Sequence, residues 1–79
     1  MENTLKELVE LIAKSLVDDP SMVMVKQSTD SRGILLQLSV APEDMGKVIG
    51  KQGRIAKSIR TVVKAYATKL NVHVNLDII

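Results

Sequence analysis

Gly50 and Gly53 stand three residues apart with Lys51 and Gln52 between them, and Lys47 and Arg54 flank the pair. Glycines so spaced allow turns closed to other residues and let a ligand backbone approach closely. A helix beginning just after Gly53 would point its free amides and positive dipole end into this loop. Such an elbow binds an anion but carries nothing with which to transform it. Other phosphate loops fail on spacing. A Walker-type loop needs four residues between its glycines and a Ser or Thr after the lysine, whereas Gly46 and Gly50 enclose three and Gln52 follows Lys51. A dinucleotide-binding fingerprint needs a strand ahead of the loop, and here the pattern gives a helix.

Little else in the chain can do chemistry. There is no cysteine and one histidine, His73, which excludes a disulfide framework, a thiolate or multi-histidine metal site and a cysteine nucleophile. Ser39, His73 and Asp77 supply the letters of a catalytic triad, but no motif joins them. His73 falls with Asn75 and Asp77 on the polar face of the last strand. Tyr66 is the one aromatic residue and belongs to an apolar helix stripe, so it reads as core before it reads as a stacking platform. No catalytic residue, metal or cofactor is expected.

Net charge is only +2, yet its distribution is lopsided. Residues 1–44 carry four basic and eight acidic side chains. Residues 45–71 carry seven basic ones (Lys47, Lys51, Arg54, Lys57, Arg60, Lys64, Lys69) and no acid. A solvated lysine-rich helix explains many such runs. A 27-residue stretch without a carboxylate goes further, and a polyanion is its natural partner.

The elements that must position this loop follow from periodicity. Seventy-nine residues with 46% hydrophobic content make one small globular domain with a thin core, without repeat or linker. The first apolar stretch, residues 5–16, is broken by Lys6, Glu7, Glu10 and Lys14, so it is no signal-peptide core. No run approaches the roughly 20 apolar residues of a membrane span. A cytoplasmic protein is expected.

Leu5, Leu8, Val9, Ile12 and Leu16 recur at helical spacing behind N-cap candidates Asn3 and Thr4, the latter in capping-box register with Glu7. Asp18-Asp19-Pro20 ends that helix. Residues 22–28 and 34–40 read as strands of an antiparallel hairpin around the turn cluster 29–33, with Ile34, Leu36, Leu38 and Val40 on one face. A brief helix over 42–49 follows, with Glu43 and Asp44 at its positive end, and stops at Gly50. Gly46 reads as a tight packing point or as part of the loop, the first being preferred.

A long helix then spans 54–70. At about 100° per residue, Ile55, Ile59, Val62, Val63, Tyr66 and Leu70 fall within an arc of roughly 100°, with Arg54, Lys57, Arg60 and Lys64 on the opposite side. Asn71 ends it, and Val72, Val74, Leu76 and Ile78 alternate as a final strand. The crossover through two helices makes that strand parallel to one of the hairpin.

The stretch Val48-Ile49-Gly50-Lys51-Gln52-Gly53 resembles the signature of a KH domain, whose GxxG loop clamps about four backbone nucleotides. The α-β-β-α-α-β order is similar to the prokaryotic, type II form, an α+β fold with a three-stranded mixed sheet packed on helices. The whole chain, residues 1–79, is covered as a single KH domain. Residues 42–54, Pro-Glu-Asp-Met-Gly-Lys-Val-Ile-Gly-Lys-Gln-Gly-Arg, look like the corresponding stretch of the small bacterial KhpA family. The wider KH pattern has a large aliphatic three residues after the second glycine, where this chain has Ala56, and Ile59 matches the next aliphatic.

The resemblance implies binding of single-stranded RNA. Gly50, Lys51, Gln52 and Gly53 would hold the sugar-phosphate backbone, Lys47, Arg54, Lys57 and Arg60 would supply charge, and Ile49 and Ile55 would line a groove for bases. Without Phe or Trp the chain is not an aromatic-stacking RRM. The family's members are RNA-chaperone-type regulators that pair with a larger KH protein, KhpB (also Jag or EloR), in cell-wall homeostasis and cell elongation. A homodimer is expected too: Leu35, Ile78 and Ile79 are large aliphatics without an evident inward place, which either close the edge of the core or meet a partner, and the resemblance tips the balance toward self-association. The alternatives are a helix-turn-helix DNA binder, with 54–70 as recognition helix, and a protein-interaction domain. Against the first, the helix's polar face offers Lys and Arg but no Asn or Gln to read adenine.

Overall fold

The computed structural model describes residues 4–79, and the expected Asn3 cap lies outside them. The elements run α1 (Thr4–Leu16), β1 (Met24–Asp30), β2 (Gly33–Ser39), α2 (Met45–Ile49), α3 (Arg54–Lys69) and β3 (Val74–Ile78). This is the α-β-β-α-α-β order set by the sequence pattern. Three short 3-10 turns, Pro20–Met22, Pro42–Asp44 and Lys51–Gly53, join them.

β2 is the central strand, antiparallel to β1 and parallel to β3. The parallel partner is reached through α2 and α3, as a crossover requires. Leu36 and Leu38 of β2 stand beside Val25 of β1 and Leu76 of β3, all buried. Leu5, Val9 and Ala13 of α1, Val48 of α2, and Ile59, Val63 and Ala67 of α3 complete the core against this face. Lys26, Ser28, Asn75 and Asp77 alternate with these positions and are exposed.

Several local expectations shift. The hairpin is tighter than the turn cluster suggests: Asp30 pairs with Gly33, so only Ser31 and Arg32 form the loop. The Asp30 carboxylate accepts the Arg32 N–H at 2.7 Å, a local bond that lets Thr29 and Asp30 stay in the strand. On α3 the buried side chains are Ala56, Ile59, Val63 and Ala67, whereas Val62 is 49% exposed. The packing stripe is thus turned by roughly 50° from the one centred on large aliphatics. Small side chains on the packed face let the helix approach more closely.

Ala56 is therefore a core residue at 3% exposure. Val72 lies outside β3 and is exposed, because Asn71 takes φ 61 and turns the chain out of α3. Ile78 does find an inward place, beside Leu38 and against the core, while Ile79 stays 60% exposed and Leu35 half-buried. A Cβ built on Gly46 would meet nothing within 4 Å, so Gly46 is not a tight packing point.

Candidate nucleic-acid interface

Backbone conformation shapes the loop first. Gly50 has φ 76 and ψ 175, a region essentially reserved for glycine, and it caps the C-terminus of α2. A Cβ there would lie 2.6 Å from Ile55 Cγ1 and 2.9 Å from Ile55 Cβ. Gly53, the N-cap of α3, is left-handed at φ 73 and ψ 16, with open space where a side chain would project. Between them Gln52 also takes positive φ, 56, a strained state for a residue with a side chain. Two hydrogen bonds close the turn, Gly53 N–H to Gly50 O at 3.2 Å and Arg54 N–H to Lys51 O.

The result is an exposed tip, Lys51 and Gln52, between two helix ends. No side chain caps the start of α3, so its first amides can meet an incoming anion. Arg54, the first residue of α3, and Lys57 and Lys64 further along are exposed. Ile49 and Ile55 are half-buried and pack against the core, so each offers an apolar edge beside the loop. The structure thus brings Ile49, Gly50, Lys51, Gln52, Gly53, Arg54 and Ile55 together in one unbroken turn, with Lys57 one helical turn onward.

Two expected charge donors are otherwise engaged. Arg60 is half-buried and its Nε donates to the Leu76 carbonyl of β3 at 3.0 Å. This anchors α3 to the sheet edge. Lys47 is bonded to the Asp18 carboxylate and lies 3.5 Å from Asp44 Oδ1. The bond to Asp18 is the main reason its ammonium is held above the ordinary lysine value, with Asp44 adding to it against the cost of burial.

Asp44 is not legible from the sequence as part of this region. Its place near the positive end of α2 suggests a helix-dipole role, but it makes no side-chain cap there. The carboxylate turns inward, is 1% exposed and accepts the Asp19 N–H at 3.0 Å. Burial pushes its pKa up, but the backbone amides of Asp19 and Asp18 and the Lys47 ammonium together hold it below the ordinary carboxylate value. Nothing in residue spacing marks Asp44 among the eight acids of the first 44 residues.

Residues 50–54 include no carboxylate or imidazole to move a proton. Asp77 stands opposite Gln37, Ser39 opposite Met24, and His73 precedes β3, so these three occupy different rungs of the sheet. Among the described residues no three His, Asp or Glu side chains converge to hold a metal ion, and no helix is long and apolar enough to cross a membrane. The arrangement can bind an anionic backbone and rest its neighbouring groups on aliphatic edges.

Comparison with known proteins follows the same line. The family model described as KhpA/KhpB, KH domain, matches residues 6–78. The RNA-binding protein KhpA of Clostridium acetobutylicum is 63% identical over 75 residues, covering 95% of this chain and all of that one. The protein of that name from Clostridium perfringens is 64% identical over the same shares. That of Aquifex aeolicus is 43% identical over 77 residues, 98% of each chain. Among solved structures, a GDP·AlF4-bound variant of Aquifex aeolicus Era superposes with a TM-score of 0.68. At 22% identity, over 94% of this chain and 29% of that one, the likeness shows the fold alone.

Proposed function

The chain belongs to the KhpA/KhpB KH-domain family, and from that premise we propose that it is an RNA-binding protein that grips the backbone of single-stranded RNA with residues 50–53. The observation that carries this reading is the loop itself: Gly50, Gln52 and Gly53 all at positive φ, an exposed Lys51, and an uncapped helix start behind it. Backbone amides, Lys51 and Gln52 hold phosphates, Arg54, Lys57 and Lys64 extend the charge along α3, and Ile49 and Ile55 bear on the bases. Lys47 and Arg60 contribute field more than direct contact, since both already have partners.

The helix-turn-helix reading is weaker. The two helices that would form it include α2, only five residues long, and the turn between them is strained to present backbone. The test is a titration of the folded protein with single-stranded RNA and with duplex DNA of matching sequence at one salt concentration. Tighter binding of the RNA is expected, and preference for the duplex would overturn the reading.

The same premise supports wider proposals. The protein acts in the cytoplasm as an RNA chaperone and post-transcriptional regulator, pairs with a larger KH protein of the KhpB type, and serves cell-wall homeostasis and elongation. It also self-associates, because one four-nucleotide grip is weak and two joined grips gain by effective concentration. The exposed Ile79 and half-buried Leu35 supply apolar surface for that association. Light scattering at micromolar concentration checks it, and a clean 8.7 kDa monomer would refute it.

A further inference from the structure

α2 has five residues, less than two turns, and no helix of that length holds its direction unaided. Its last residue leads straight into Gly50, so whatever fixes α2 also aims the loop. Val48, fully buried, fixes one side. The second fixed point is Asp44, the one buried charged side chain among the described residues. Asp44 ends the 3-10 turn Pro42–Asp44, and its own N–H donates to Ala41 O at 2.8 Å. Its Oδ2 reaches 25 residues back along the chain to the Asp19 N–H. Its Oδ1 faces Lys47, one turn into α2, and Lys47 in turn bonds Asp18.

A carboxylate taken out of water is costly, and an apolar side chain would fill the same space without that cost. Its value lies in direction: hydrogen bonds constrain angle where apolar packing does not. We propose that Asp44 is a positioning residue for the RNA-gripping loop, fixing the entry of α2 against the segment that follows α1 and so setting how residues 50–53 are presented. This rests on the RNA-binding reading above. Lys47 is then a brace within the protein, held from two sides by Asp18 and Asp44. With α2 loosened at its start, the loop samples several orientations, and the apparent affinity falls by the fraction that remains competent.

Asp44→Asn keeps the shape and an acceptor for the Asp19 N–H but loses the charge on Lys47, whereas Asp44→Ala removes both. Asp18→Asn removes one partner of Lys47 without touching the buried carboxylate. Two quantities are read on fully folded samples: amide hydrogen exchange along the chain, and affinity for a short mixed-sequence single-stranded RNA. For Asp44→Ala, faster exchange confined to residues 45–53 and an affinity loss of about fivefold are expected, the latter corresponding to a competent fraction of about one fifth. Asp44→Asn should fall between it and the parent, and Asp18→Asn, which removes only the exposed partner of Lys47, should raise loop exchange less than Asp44→Asn does.

Exchange that accelerates equally in β1, β2 and α2, or a loop unchanged in Asp44→Ala, would overturn the proposal. If Asp44→Ala does not fold, the Asp44→Asn exchange map decides in its place. Absence of RNA binding by the parent protein would instead defeat the functional reading, and the exchange map would still decide whether Asp44 aims the loop.

Discussion

The two loop glycines look equivalent in the sequence and are not equivalent in the fold, which sets up a sharp contrast between Gly50→Ala and Gly53→Ala. At Gly53 the cost is conformational only: about 1–2 kcal/mol for holding an L-residue in the left-handed region, since the new methyl meets nothing within 4 Å. At Gly50 the backbone sits where only glycine is comfortable, costing about 1–3 kcal/mol. The methyl also drives into Ile55 at 2.6 Å. Rotating Ile55 does not relieve this, because its Cβ, fixed by the α3 backbone, is itself 2.9 Å away. Overpacking of this kind costs about 1–3 kcal/mol more. Gly50→Ala should therefore lose about 2–6 kcal/mol, against a total stability of roughly 4–12 kcal/mol for a domain of 79 residues. With one Tyr and no Trp, urea unfolding is best followed by far-ultraviolet circular dichroism. The reasoning fails if the two variants are equally destabilised or if Gly53→Ala is the worse. In the folded Gly53→Ala protein the methyl projects into open space beside the loop, so RNA binding should weaken while the protein stays better folded than Gly50→Ala.

Five cations, Lys51, Arg54, Lys57, Lys64 and Lys69, are exposed along the loop and α3, and the first four, nearest the loop in the chain, take no part in the bonds that hold Lys47 and Arg60. At about −0.7 per phosphate on single strands, log K against log salt should have a slope near −3, and a salt-independent affinity would contradict the account. Arg60→Ala should cost stability as well as affinity, because its Nε bond to Leu76 O joins α3 to β3; an affinity loss at full stability would mean that Arg60 acts on RNA alone. Asp44 has a lowered folded pKa, so its contribution is present above the ordinary 3.8 and is lost as pH falls through the folded value. The stability gap between the parent and Asp44→Asn should accordingly close on acidification below 3.8 in urea titrations, and a gap that widens there would reverse the assignment.

Most of the architecture is legible in the sequence because its signals are local. Strand alternation at Ile34, Leu36 and Leu38, helical spacing along α1, and the glycines at 50 and 53 each act within a few residues. The crossover rule then makes β3 parallel to one strand of the hairpin, and the structure shows that strand to be β2. What escapes depends on distant partners. The inward turn of Asp44 is set by the Asp19 amide, the sequestering of Lys47 by Asp18, and the anchoring of Arg60 by a β3 carbonyl. The buried face of α3 escapes for a related reason. Hydrophobic size alone favours Val62, while close packing favours Ala56 and Ala67.

The central claim is that residues 50–53 hold RNA by its backbone. The direct measurement is the affinity for single-stranded RNA of a variant carrying Lys51→Asp and Gln52→Asp, with circular dichroism as the check on folding. Both positions are exposed and both glycines are kept, so the fold should persist. Each charge-assisted hydrogen bond to phosphate is worth about 1.5–3 kcal/mol, so affinity should fall at least about tenfold. A folded variant that binds RNA as tightly as its parent would contradict the account.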